Sequence, residues 1–177
     1  MNKSELRKSV LNVRKNFGGE KESEKICGNV KSMAEYKNAQ CVAAFVPYKS
    51  EVNILPLIEE AMKTKKVCFP VTDENDSLEF YFAESISELV SGRYGILEPK
   101  RDKRAEKIDF MVVPGAVFGK DGFRIGYGKG CYDRYLCGKN IFTCAVGYSF
   151  QLKETAEHET HDVKMRAFAD ETEILYF

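Results

Sequence analysis

The chain has 177 residues, 27 basic and 27 acidic. That length fits one domain, 1–177, and the charge balance excludes a general polyanion-binding surface, so nucleic acid is not an expected partner. Six cysteines, none in a Cys-x-x-Cys pair, point to reduced thiols in the cytoplasm; no export segment is visible and no apolar run approaches the roughly 18 residues of a membrane span.

Residues 2–16 predict a helix, because Leu6, Val10, Val13 and Phe17 recur at three and four and mark one apolar stripe. Lys3 and Arg7 stand four apart on one face, with Arg14 near the same line. That face reads either as a solvated basic surface or as a phosphate clamp, and position alone does not decide. Gly18-Gly19 stops the helix, and a more polar one follows over residues 20–36. The apolar run from Gln40 to Tyr48 has the pattern of a parallel strand buried on both faces. It ends in Pro47-Tyr48-Lys49-Ser50-Glu51. Asn53 is expected to cap a helix that buries Ile54, Leu57, Ile58, Ala61 and Met62. Lys66–Val71 is a second strand, which completes a right-handed β-α-β unit.

Leu78–Ala83 reads as a strand, Ser87–Val90 as a helical turn, Tyr94–Pro99 as a turn entering an extended segment, and Asp102–Lys107 as a charged surface link. Ile108–Pro114 is another buried strand. It delivers the chain to Gly115–Leu136, which holds six glycines, at 115, 119, 122, 126, 128 and 130. After a helix start at Tyr132–Leu136, Phe142–Tyr148 is a fourth core strand and Glu173–Phe177 a last one. Strands alternating with helices argue for a three-layer α/β/α sandwich with a mostly parallel sheet. Ligands of such sheets sit beyond the carboxyl ends of the strands. Tyr48–Glu51 and Gly115–Asp133 both fall there, so they are expected to share one cleft.

Gly126, Gly128 and Gly130 alternate with Tyr127 and Lys129, between Arg124 and Asp133. Alternating glycines let backbone N–H groups converge on one anion. The stretch lacks the Ser or Thr of a Walker A loop and the spacing of a dinucleotide fingerprint. An unliganded flexible loop is the alternative. Asp133 reads as a metal ligand or as a helix cap. His158 and His161 lack a third ligand and read as surface residues. Cys131 lies by a cationic loop, yet an ordinary packed thiol is the expectation.

The residues Gly115, Phe118, Gly122, Arg124, Gly126, Gly128, Gly130, Tyr132, Asp133, Arg134, Tyr135 and Leu136 form a pattern that resembles the signature of the 5-formyltetrahydrofolate cyclo-ligase family. Lys3 with Arg7, Glu51 after Phe45-Val46-Pro47-Tyr48, Tyr94–Pro99, Gln151 and His161-Asp162 follow in the family's order. Cys131 stands where many members carry Tyr. The resemblance implies ATP-dependent closure of 5-formyltetrahydrofolate to 5,10-methenyltetrahydrofolate, with Mg²⁺ as cofactor and ADP and phosphate as products. It implies that Lys3, Arg7, Arg124, Ile125, Gly126, Tyr127, Gly128, Lys129, Gly130, Cys131 and Tyr132 hold ATP. Val46, Glu51, Tyr127, Gly128, Lys129, Gly130 and Cys131 would line the folate site. Asp133 and Asp162 would hold Mg²⁺, and Arg124, Lys129 and Tyr132 would serve catalysis. A monomer acting on small molecules is the expected state. A non-catalytic folate- or nucleotide-binding module and a sugar-phosphate enzyme are the competing readings.

Overall fold

The computed structural model describes residues 2–177. Helix α1 (Lys3–Lys15) starts at a capping box: Asn2 Oδ1 accepts the Glu5 N–H at 2.9 Å and Glu5 Oε2 accepts the Asn2 N–H at 3.0 Å. The helix buries Val10 and Arg14, while Val13 is exposed. The apolar stripe expected through Val13 is thus turned aside. The line through Lys3, Arg7, Val10 and Arg14, spaced four, three and four, faces the protein instead.

The single helix expected over residues 20–36 is two, α2 (Glu20–Ser32) and α3 (Ala34–Asn38). Met33 breaks them: its backbone is extended and its side chain is buried in the core. Strand β1 (Cys41–Ala43) is shorter than the apolar run. Pro47 offers no N–H to a ladder, and beyond Ala44 the chain leaves the sheet. Helix α4 (Leu55–Met62) has Ile54 rather than Asn53 as its cap residue. Asn53 stands one place earlier and accepts the Leu55 N–H at 3.2 Å. Strands β2 (Lys66–Thr72) and β3 (Leu78–Phe82) form an antiparallel hairpin. β4 (Val90–Ser91) and β5 (Leu97–Glu98) make a two-stranded ribbon around the turn Arg93–Gly95. The segment 102–107 is more than a surface link, since Ala105 is buried and donates its N–H to the Phe80 carbonyl at 2.8 Å.

The second half holds β6 (Phe110–Val113), the hairpin β7 (Val117–Gly119) and β8 (Arg124–Ile125), and α5 (Cys131–Leu136). It continues with β9 (Phe142–Val146), β10 (Leu152–Lys153), β11 (Ala167–Ala169) and β12 (Ile174–Tyr176). The main sheet runs β12-β11-β9-β6-β1-β2-β3. Its four inner pairings are parallel and its two edge pairings antiparallel. Neighbouring residues along each strand enter opposite layers. Val42, Phe110, Val112, Cys144 and Val146 pack with α2, α3 and α4, whereas Cys41, Ala43, Met111, Val113 and Ala145 pack with Leu136 of α5. A sheet covered on both faces accounts for the uninterrupted apolar runs.

A smaller sheet, β10-β7-β8, extends the second outer layer, and α1 rests on it through Val10, Ala116, Val117, Ile125 and Ala156. Connections from β1 run to β2 on one side, and those from β6 run to β9 on the other. The crevice where the order reverses therefore opens between β1 and β6, where doubly wound sheets place ligands. The chain leaves β1 toward Glu51 and β6 toward Gly115, so both expected segments rise at that crevice.

Candidate functional site

The β7–β8 hairpin occupies the first half of the glycine-rich stretch, and the loop proper is Gly126–Gly130. Gly128 and Gly130 take positive φ, +92° and +63°, whereas Gly126 does not. Among the described residues, no backbone amide from Gly126 to Gly130 finds an acceptor. Arg7 from α1 lies against this loop: a Cβ on Gly128 would sit 3.2 Å from Arg7 Nη1. The Arg7 Nε is buried and has no partner among the described residues. Arg7 therefore lines the loop and is no solvated surface residue, whereas Lys3 is held by Glu159 and Asp162.

The two walls of the crevice are joined by a chain of hydrogen bonds. Glu51 Oε1 accepts the Tyr127 hydroxyl at 2.5 Å, and Glu51 Oε2 accepts the Tyr48 N–H at 2.8 Å. Tyr127 is in turn held by Arg14, whose Nη2 donates to its oxygen at 2.7 Å. Burial pushes the Glu51 carboxyl above its ordinary value, although the Tyr127 hydroxyl, the Tyr48 amide and the Arg14 charge work against it. Val46 precedes this segment and packs, half-buried, on the core. Arg14 is only 3% exposed. Its distance from the glycine loop in sequence, 113 residues from Tyr127, hid its role; the sole sequence signal was its place on the Lys3–Arg7 line.

Arg124 is buried at the start of β8. It grips Asp133 through two bonds, Nη1–Oδ1 at 2.9 Å and Nη2–Oδ2 at 3.3 Å. Asp133 also accepts the Val163 N–H at 3.0 Å, so it anchors the 159–163 segment and caps no helix. The Arg124 Nε has no partner among the described residues. Its guanidinium lies 5.9 Å from the Tyr132 ring centroid. Burial, followed by the Glu51 charge, raises the Tyr132 hydroxyl's pKa. Burial likewise raises the Cys131 thiol, which is an unactivated packed side chain.

Lys129 is solvent-exposed and reaches Asp76 Oδ2 at 3.4 Å. Asp76, in the β2–β3 turn, also accepts the Tyr94 hydroxyl at 3.1 Å, and its carbonyl takes Arg134 Nη2 at 2.8 Å. This turn braces the outer side of the glycine loop, a contact without local sequence signal. At the other end Lys3 Nζ meets Glu159 Oε1 at 3.2 Å and Asp162 Oδ2 at 3.3 Å. His158 stacks on Phe123, ring centroids 3.6 Å apart, and His161 is exposed. A separate cavity of about 350 Å³, beside Ile108 and Ile141, contains none of the expected site residues.

A family model described as the 5-formyltetrahydrofolate cyclo-ligase family matches residues 1–170. The chain belongs to that family.

A cyclo-ligase is a ligase, and that class extends to this chain with its family. Its similarity to the 5-formyltetrahydrofolate cyclo-ligase of Escherichia coli K12 is 34% identity over 139 residues, covering 73% of this chain and 76% of that one. The mouse enzyme of the same name is 28% identical over 148 residues, with 74% and 73% covered. In three dimensions the chain is similar to the 5,10-methenyltetrahydrofolate synthetase of Aquifex aeolicus, at TM-score 0.89 and 37% identity over 99% of this chain and 93% of that one. A synthetase structure from Mycoplasma pneumoniae shares the fold at TM-score 0.78 and 23% identity, with 97% and 99% covered.

The cyclo-ligase fold brings together most of the residues expected to bind. Glu51 meets Tyr127, and Arg7 lies on Gly128, around one crevice; Lys3 is held by Glu159 and Asp162 and Lys129 by Asp76. Among the described residues, no group of three or more His, Cys, Asp or Glu side chains gathers to hold a metal. Asp133 and Asp162, the expected Mg²⁺ ligands, are both engaged by cations, Arg124 and Lys3. Val163, next to Asp162 in the chain, donates its N–H to Asp133. Two hard oxygen donors suit Mg²⁺ where substrate phosphates and water complete its shell, so the residues fit a substrate-completed site and not an all-protein one.

Proposed function

We propose that this protein closes 5-formyltetrahydrofolate to 5,10-methenyltetrahydrofolate, consuming ATP and releasing ADP and phosphate. One observation carries the reading. The basic face of α1, the glycine loop and Glu51 meet in a single crevice, which supports neighbouring sites for a polyphosphate and for a ring bearing N–H donors.

The formyl group on N5 is an amide and a poor electrophile. Its oxygen attacks the γ-phosphorus of ATP, the bond to ADP breaks, and the oxygen becomes a leaving group. N10 then attacks the formyl carbon, loses its proton, and phosphate departs to leave the methenyl bridge. Catalysis of this kind rests on positioning and charge neutralisation. Lys3, Arg7 and the amides of Gly126–Gly130 would hold the phosphates. Glu51 would accept N–H groups of the pterin, beside Val46, Tyr127 and Cys131. Arg124, through its unpartnered Nε, would face charge developing on the transferred group. Lys129 would turn from Asp76 toward the phosphates, and Tyr132 would shield the reacting atoms from water. Asp133 and Asp162 would hold Mg²⁺, which supplies Lewis-acid neutralisation of phosphate oxygens.

All of these side chains come from one chain, which supports a monomer acting on two small molecules. Six free thiols support a reducing compartment, the cytoplasm. The test is to incubate purified protein with ATP, 5-formyltetrahydrofolate and a Mg²⁺ series. The methenyl chromophore should appear with one ADP per turnover and require the metal. ATP hydrolysis without the chromophore, or no reaction at any pH and metal concentration, would overturn the reading.

A further inference from the structure

Arg14 is neither in the glycine loop nor among the expected nucleotide ligands, yet it is the most buried basic side chain of α1. Its three donor positions go to three separate places. Nε reaches Ser50 Oγ at 3.3 Å, on the segment after β1. Nη1 reaches the Gly115 carbonyl at 3.1 Å, where the chain leaves β6. Nη2 reaches the Tyr127 hydroxyl at 2.7 Å, in the glycine loop. Among the described residues Arg14 forms no ion pair within 4 Å. Burying a cation without a direct carboxylate is expensive, so a stabilising ion pair does not account for it.

The direction of the hydrogen bonds does. Guanidinium has donors only, so the Tyr127 oxygen must accept from Arg14. The single Tyr127 proton is then committed to the other side, where Glu51 Oε1 waits at 2.5 Å. Glu51 Oε2 is fixed by the Tyr48 N–H. The carboxylate is thereby pinned at both oxygens, with lone pairs left for a ligand.

We infer that Arg14 is a positioning residue for folate: through Tyr127 it orients Glu51, and through Ser50 and Gly115 it holds the two crevice walls in register. This rests on the cyclo-ligase reading for the ligand's identity. Lys3 and Arg7 on the same helix face the nucleotide side, so α1 serves both substrates from one face, roughly 16 Å apart at its ends given 1.5 Å per residue.

The groups facing Glu51 are Arg14 from α1, Tyr127 from the glycine loop, Tyr132 from α5 and the Tyr48 amide from its own segment. Arg14 is the cation among them. The test compares wild type with Arg14→Gln, Arg14→Lys and Tyr127→Phe. Carboxyl NMR of Glu51 in the substrate-free protein gives a readout independent of turnover. In Arg14→Gln its titration midpoint should move upward, and the KM for 5-formyltetrahydrofolate should rise about tenfold or more while that for ATP changes far less. Arg14→Lys keeps the charge without the fork, so it should restore the titration better than the KM. Tyr127→Phe removes the same bridge from the exposed side and should raise the folate KM even if Arg14→Gln folds poorly. An unmoved Glu51 titration, or equal rises in both KM values in all three variants, would overturn the proposal. A wild-type protein without cyclo-ligase activity but with the Glu51 shift would instead overturn only the ligand's identity.

Discussion

A Cβ placed on Gly128 would lie 3.2 Å from Arg7 Nη1, with Gly128 itself at φ +92°. The loop and the basic helix are therefore fitted together at a position where a side chain would strain the backbone and crowd Arg7. Gly128→Ala should strain the backbone by about 1–3 kcal/mol and push Arg7 from the loop. Gly126→Ala meets neither obstacle, since no atom lies within 4 Å of its Cβ and its φ is ordinary. Steady-state kinetics should show the ATP KM rising at least several-fold more in the first variant than in the second. Equal effects would detach Arg7 from the nucleotide.

Glu51 makes stability and folate binding respond to acid in opposite directions. Its carboxyl sits above the ordinary 4.5 because burial disfavours the charged form. A group with a raised folded-state pKa binds its proton more tightly when folded. Its stabilising contribution is present below 4.5 and is lost as pH rises through the raised value. Acceptance of pterin N–H groups needs the carboxylate, so the folate KM should climb as pH falls through the same window. Glu51→Gln should flatten that climb, start from a higher KM, and remove this residue's part of the pH dependence of Tm. Measuring KM and Tm from one pH series checks both signs.

The contrast between Arg7 and Arg14 shows what a single sequence can reveal. The buried strands, the β-α-β unit and the crevice followed from apolar runs, because a sheet covered on both faces leaves a continuous signal. Gly126–Gly130 was visible from its spacing. Asp76 under Lys129, and Arg14 under Tyr127, were not, since each is joined to the loop only by the folded topology. The small sheet β10-β7-β8 leaves no sequence signal for another reason: strands of two and three residues are too short for alternation to register. Asp133 reads in the sequence as a cap or a metal ligand, and spacing carries no hint that Arg124, nine residues earlier, grips it with two bonds.

That Arg124–Asp133 pair predicts a coupled energetic response. Both side chains are largely buried, at 4% and 13% exposure. Removing one partner leaves the other charge without compensation, at a cost of about 3–5 kcal/mol. Arg124→Ala should therefore lower Tm markedly, and the double change Arg124→Ala with Asp133→Ala should be less destabilised than the sum of the single changes. Turnover should fall about 10³-fold or more in every variant lacking Arg124. A double variant that regains both Tm and turnover would confine Arg124 to a structural part.

Glu159 and Asp162 provide a discriminating pair for the metal, because both hold Lys3, at 3.2 Å and 3.3 Å. They differ in setting. The Glu159 side chain is 64% exposed and that of Asp162 15%. Asp162 Oδ2 also takes the Glu159 N–H at 2.8 Å. Burial works to raise the Asp162 carboxyl, but that amide and Lys3 outweigh it and hold the pKa below the ordinary value. It is thus an anion kept charged within the segment that Asp133 anchors. If its oxygens help to hold Mg²⁺, Asp162→Ala should raise the half-saturating Mg²⁺ concentration about tenfold or more. Glu159→Ala, which loosens Lys3 from the exposed side, should alter the ATP KM modestly and leave the Mg²⁺ dependence in place. Matching Mg²⁺ curves for the two variants would leave Asp162 with no part beyond holding Lys3.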